Sequence, residues 1–174
     1  SLIDWYKQIL IWQCAIFNMW MSMGKQWANR IFFRDFQIKN NVWTQKQFWN
    51  CCYRRGHIVC TVQWNKLYVK KIFENLRYPN GKVREDEFMI HHIINRCNRI
   101  ACVNKNMYYY RQHTGSIMGN AYSINQLDII EAYIERERSF RKGGESFLLA
   151  EKNINSSNFI FWNGLRLALN TFPK

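Results

Sequence analysis

From residue 85 to 97 the chain carries a pattern that suits a helix: Met89, Ile93 and Cys97 recur at steps of four, as do Ile90 and Ile94. Residues four apart share one helical face, whereas a strand would alternate them. Three acids, Glu85, Asp86 and Glu87, fill the first turn, where they complement the positive end of the helix dipole. Asp86 falls on the same face as Met89, Ile90 and Ile93, so its carboxylate is expected to point inward.

The segments around this helix alternate in type. Residues 4–12 read as a helix through Trp5, Ile9 and Trp12, and residues 14–20 as a buried strand. Residues 31–38 suggest another strand, with Phe32, Phe36 and Ile38 on one parity. Thr44 is placed to cap a helix through Cys52, with Gln47 as its capping-box partner. A short β-branched run follows at 58–62, then a short helix at 70–76, closed by Tyr78-Pro79-Asn80-Gly81, whose residues are those of a turn. Beyond the central helix, residues 99–103 and 107–111 read as two strands joined by a tight Asn104-Lys105-Asn106 turn. Ser123 and Gln126 form a second capping box, opening a helix with Leu127, Ile130 and Ile134 on its apolar stripe and Gly143-Gly144 beyond its end. A last helix is expected near 157–171. Alternating helices and strands indicate an α/β fold.

Composition excludes several classes. A length of 174 residues fits one domain with a real core. Aromatics make up 17% of the chain, which argues against disorder, and with 8 Gly and 2 Pro no long flexible linker is evident. No apolar run approaches the roughly 20 residues of a membrane span, since Gln13, Asn18 and Ser22 interrupt residues 9–23. No basic-then-apolar start with a small-residue cleavage site is visible. The six cysteines show no CxxC pair, and Cys14, Cys60, Cys97 and Cys102 lie in apolar segments. Reduced, buried thiols of a cytoplasmic protein are expected, rather than zinc ligands or disulfides.

The net charge is +13, with 8 basic and 2 acidic groups in residues 1–60 but a near balance of 7 and 6 in residues 123–174. Such a field attracts nucleic acid, anionic lipid or a diphosphate ligand. Six of the eight tryptophans lie in the N-terminal third. Interleaved aromatics and cations can hold single-stranded nucleic acid, but several of these aromatics fall at strand and helix spacings, where core packing explains them. No nucleic-acid partner is expected. The adjacent His91 and His92 would leave a helix about 100° apart, so they are read as one buried and one surface histidine that do not chelate one metal as a pair.

Five blocks stand out in order: Trp64-Asn65-Lys66-Leu67-Tyr68, Arg77-Tyr78-Pro79-Asn80-Gly81-Lys82, Arg84-Glu85-Asp86-Glu87-Phe88, Tyr108-Tyr109-Tyr110-Arg111, and Ser116-Ile117-Met118. At these spacings they resemble the acceptor-side half of bacterial family 2 glycosyltransferases that build surface polysaccharides. The likeness is densest from about residue 62 to 140. It implies a partial nucleotide-sugar-transferase (GT-A-like) fold, a mixed sheet with flanking helices, over residues 1–141, with a C-terminal helical extension at 142–174. The nucleotide-binding half with its Asp-any-Asp metal motif is missing from this sequence, and Asp4 and Asp35 are isolated acids that do not replace it.

The resemblance further implies a reaction: a nucleotide-sugar donor passes its sugar to a glycan or lipid-linked acceptor. The family's Glu-Asp pair falls on Glu85 and Asp86, with Asp86 as the base that takes the acceptor hydroxyl's proton. The same acids would also serve simply as a helix start. Trp64 offers a stacking face for a sugar ring, and Asn65, Lys66 and Ser116 offer contacts to substrate, although Trp64 and Tyr68 would equally anchor a core helix. Arg111 suits the donor diphosphate, and His113 a metal shell; an alternating strand and a solvated loop histidine are the plainer alternatives. A divalent metal, Mn²⁺ or Mg²⁺, is expected for the complete enzyme. The apolar and cationic residues 159–169 suit peripheral contact with the inner membrane face. A missing N-terminal half or partner chain would complete the enzyme. The alternative is a non-catalytic remnant that binds glycan or a partner, or, further off, a basic membrane-surface or nucleic-acid binder.

Overall fold

The computed structural model describes residues 14–23, 26–28, 41–112, 124–144, 161–162 and 164–165. The helix expected at 4–12, the strand expected at 31–38, and His113, Ser116 and Ser123 lie outside the described residues. The structure is a mixed α/β arrangement. Its strands are β1 (Cys14–Met23), β2 (Gln26–Ala28), β3 (Asn41–Trp43), β4 (Lys66–Tyr68) and β5 (Ile100–Gln112). Its α-helices are α1 (Gln45–Cys51), α2 (His57–Thr61), α3 (Glu85–Ile94) and α4 (Asp128–Lys142).

The sheet is built on β1 and β5, which run parallel from Cys14↔Ile100 to Met23↔Gln112. β3 borders β5 antiparallel. β2 and β4 pair antiparallel with opposite ends of β1. One expectation is corrected here. Asn104-Lys105-Asn106 does not turn the chain back; residues 100–112 form a single strand. The pairing steps from Phe17↔Val103 to Asn18↔Asn106 and then to Met19↔Tyr108, so β5 carries extra residues against β1. Turn-prone residues are also bulge-prone, because a bulge accommodates the extra residue by a local kink while the ladder continues on both sides.

The chain divides into two compact units, residues 1–76 with 93–119, and residues 77–92 with 120–174. In the first unit, Thr44 caps α1 as its sequence suggests: its side chain accepts from the Gln47 amide, and Gln47 returns the bond to the Thr44 amide at 2.9 Å. Phe48 and Trp49 are buried, and Trp49 stacks on Tyr53 at 5.8 Å between ring centroids. A wider turn over Cys52–Gly56 leads into α2. The β-branched residues 58–61 are thus helical, and the expected short helix near residue 70 is a 3₁₀ turn, Lys70–Phe73. Gln45 donates to the carbonyls of Asn95 and Cys97, and Arg96 to those of Ile72 and Glu74. Long polar side chains thereby satisfy backbone acceptors that the loops leave open. Cys52, Cys60, Cys97 and Cys102 are buried thiols, with no disulfide among the described residues.

In the second unit, Gly81 takes φ +75° in the Pro79-Asn80-Gly81 turn, a left-handed conformation that glycine adopts without strain. A 3₁₀ turn, Ile124–Leu127, precedes α4, which ends at Gly143. The buried face of α4 is not the expected stripe. Ile129, Ala132, Tyr133, Arg136 and Phe140 are buried, while Ile134 is 46% exposed and Ile130 intermediate. A fully buried arginine sits in the middle of that face, and its charge conceals the stripe from a reading by hydrophobicity.

Candidate functional site

α3 starts at an unusual backbone position. Arg84 has φ +62°, a left-handed conformation that costs a non-glycine residue on the order of 1 kcal/mol or more. It is held there from two sides: the Arg84 carbonyl accepts from the Glu87 amide at 3.0 Å, and the Arg84 Nε donates to Gln126 Oε1 at 2.9 Å. The three acids that follow therefore leave the chain in fixed directions.

Their environments differ sharply. Glu85 is exposed, Asp86 is part-buried and Glu87 is buried. The innermost acid is thus Glu87, not Asp86, because Glu87 has a buried cation to meet. Arg136 of α4, fully buried, donates through Nη2 to Glu87 Oε2 at 2.7 Å and to the Glu87 carbonyl at 2.6 Å. Two charges taken out of water together are tolerated when paired and hydrogen-bonded. Nothing in the local spacing of Glu87 announced this pair; the available signal was Arg136 at helical spacing from Ala132, Tyr133 and Phe140 of α4.

Asp86 keeps one side open. Burial raises its pKa to about 6, and the nearby charges of Glu87 and Glu85 add to the shift. The Glu87 amide donates to Asp86 Oδ1 at 2.9 Å, which works in the opposite sense. Tyr78 lies in the same neighbourhood, its phenol raised to about 12 by burial and then by the charges of Asp86 and Glu85. A carboxyl whose proton affinity is lifted toward neutrality, half open and rigidly mounted, is chemically suited to accept a proton from a bound hydroxyl. In the loop before α3, Lys82 contacts Glu131 at 2.6 Å and Asp128 at 3.3 Å, and the Val83 amide donates to Asp128 at 3.1 Å. These bonds tie the loop before α3 to the first turn of α4.

The Trp64 block occupies a corner between α2 and β4. Trp64 is half-buried, while Asn65 and Lys66 are buried. Lys66 Nζ donates to the Val59 carbonyl at 2.9 Å, to Asn65 Oδ1 at 2.8 Å and to the Val62 carbonyl. Asn65 Nδ2 donates to the same Val59 carbonyl at 3.1 Å, and Tyr68 bonds Gln63. The two polar side chains thus cap the end of α2 with the chain's own carbonyls as partners. Arg111 lies in β5 opposite Ser22 of β1.

A cluster not expected from the sequence lies on α3 and α4. His91 and His92 bring their rings to 4.0 Å between centroids, tilted by 38°. Glu135 Oε1 is 3.3 Å from His92 Nε2, and one ligand atom from each of the three lies within 4.8 Å of the others. Adjacent histidines on this helix therefore do converge, against the expectation from ideal helical angles, because side-chain torsions offset the 100° between their Cα–Cβ bonds. The division into one buried and one more exposed ring holds. This cluster is the one group among the described residues with such ligand spacing, and its two imidazoles and one carboxylate do not match the oxygen-rich sets that Mg²⁺ and Mn²⁺ prefer. The described residues thus offer no fitted site for the Mn²⁺ or Mg²⁺ expected of a complete transferase.

No protein-family model matches the chain. Two curated proteins of Streptococcus pneumoniae serotype 4 are similar to segments of it. The glycosyltransferase GlyG is 31% identical over 72 residues, 41% of this chain and 24% of that protein. The glycosyltransferase GlyA is 35% identical over 54 residues, 31% of this chain and 8% of that protein. The similarity is thus to parts of glycosyltransferases, and the aligned segments span less than a quarter of the one relative and less than a tenth of the other.

Proposed function

We propose that this chain forms the acceptor-binding, base-carrying part of a family 2-type glycosyltransferase in surface polysaccharide synthesis. The observation that carries the reading is Asp86, a part-buried carboxyl with its pKa lifted to about 6, at the start of a helix held by the Arg84 bonds. The partial similarity to two glycosyltransferases supports the same class. In this reading an acceptor hydroxyl of a glycan or lipid-linked sugar attacks the anomeric carbon of a nucleotide sugar. The new C–O bond forms as the bond to the diphosphate breaks with inversion, and Asp86 takes the hydroxyl proton. Glu85 keeps the site acidic and Tyr78 flanks it. Trp64 offers its indole face to a sugar ring, and Arg111 and Ser116 contact the donor. A nucleotide-binding segment would hold the Mn²⁺ or Mg²⁺, with His113 in its shell. The apolar residues near 161–165 would rest on the membrane that carries the acceptor.

Calorimetric titration of the chain with nucleotide sugars and Mn²⁺, followed by transfer assays with lipid-linked and free glycans, tests the reading. Transfer by the chain alone, or by the chain joined to a nucleotide-binding half, is the expected result. Binding of glycan without any transfer in either form would instead establish a non-catalytic glycan-binding role.

A further inference from the structure

We propose that His91, His92 and Glu135 form a binding site for one Zn²⁺ ion between α3 and α4. The first support is spacing. Zinc holds its nitrogen and oxygen ligands at about 2.0–2.2 Å, which sets neighbouring ligand atoms of a tetrahedral site about 3.4 Å apart. His92 Nε2 and Glu135 Oε1 already stand at 3.3 Å, and the His91 ligand atom lies within 4.8 Å of both. Small side-chain rotations close the remaining gap.

The second support is independent of spacing. His91 is fully buried, and neither of its ring nitrogens has a hydrogen-bond partner. A buried polar group left without a partner costs about 1–3 kcal/mol, which native structures rarely tolerate without cause. A metal ion at the convergence point gives one of those nitrogens a bond. The charges around the site are compatible with a cation. Glu135 supplies one negative charge to the ligand set, and Arg136, a cation whose charge reaches His91, is paired with Glu87 at 2.7 Å. The donor set of two imidazoles and a carboxylate is one that zinc uses when a fourth position is left for water or another ligand. The way in is open, because the side chains of His92 and Glu135 are 41% and 46% exposed.

The test uses the untagged full chain, kept reduced and freed of metal with a chelator, then titrated with Zn²⁺ by calorimetry. One equivalent should bind, and thermal stability should rise with zinc concentration. His92→Gln and Glu135→Gln change half-exposed side chains, and circular dichroism checks that both variants fold. Each should weaken zinc binding by more than about tenfold, the smaller loss reported for an outer-shell partner. Co²⁺ in place of Zn²⁺ should give visible bands of nitrogen and oxygen ligation without thiolate charge transfer. The proposal is overturned if the chain binds no zinc at micromolar concentrations. Unchanged affinity in both variants, or a thiolate-to-cobalt band pointing to the cysteines, overturns it equally.

Discussion

At the scale of single residues, the acids that open α3 show how burial assigns roles to like groups. Glu87 is neutralised by Arg136, and Asp86 is left with a pKa raised to about 6. Because the folded pKa of Asp86 lies above the ordinary carboxyl value of 3.8, the folded state is relatively favoured below that pH, and the advantage is lost as pH rises through about 6. Asp86→Asn should therefore raise stability at pH 8 by up to about 3 kcal/mol, and change it little at pH 3.5, as measured by urea unfolding at the two pH values. In an active transferase the same substitution should lower kcat by about 10²-fold or more, and wild-type turnover should climb with pH through about 6. Normal turnover in a folded Asp86→Asn protein would remove Asp86 from the base role. Lys66 is read from its contacts as a structural cation. Lys66→Met removes the donor to the Val62 carbonyl and one of the two donors to the Val59 carbonyl, and should cost about 1–3 kcal/mol of stability. A loss of donor affinity in that variant without a loss of stability would return Lys66 to the substrate.

At the scale of elements, two devices hold helices in place, one in each compact unit. The buried Glu87–Arg136 pair joins α3 to α4. Removing one partner strands the other in the interior, so Arg136→Met should destabilise by about 3–5 kcal/mol, while Glu87→Leu combined with Arg136→Met should recover most of the loss in urea unfolding. A double variant no more stable than the single one would show that the pair's worth lies elsewhere. The capping box of α1 is the second device, and Thr44→Ala should cost about 1 kcal/mol by the same measurement. Helix starts were legible because their signals are local: Thr44 with Gln47, and three acids before an apolar run. The buried face of α4 was not, because Arg136 counts as polar in any hydropathy pattern and becomes interior only when Glu87 meets it. The bulge in β5 has the local residues of a turn for a similar reason. Asn104-Lys105-Asn106 favours irregular backbone, and only pairing with β1 decides whether the chain reverses or continues.

At the scale of the whole molecule, a net charge of +13 accompanies exposed apolar side chains at Phe161, Trp162 and Leu165. Among the described residues no helix is long and apolar enough to cross a membrane. The membrane contact within the proposed function is one of surface charge and apolar side chains: the chain should pellet with anionic vesicles, less so as salt rises, and weakly with neutral ones. Equal pelleting with both vesicle types, or with neither, would remove the electrostatic part of that reading. What the sequence determined by itself was whatever depends on neighbours within a few residues: the alternation of helices and strands, the cap at Thr44, the turn at Gly81 and Cys60, Cys97 and Cys102 as buried thiols. The acidic start of α3 belongs with these, and so does the likeness to glycosyltransferases. Tertiary structure alone decided which acid is buried and which stays half open. It also turned Lys66 onto backbone carbonyls and brought two adjacent histidines together with a glutamate more than forty positions away. The reason is electrostatic: a charge or an imidazole has no fixed preference for inside or outside until a partner distant in sequence compensates its desolvation.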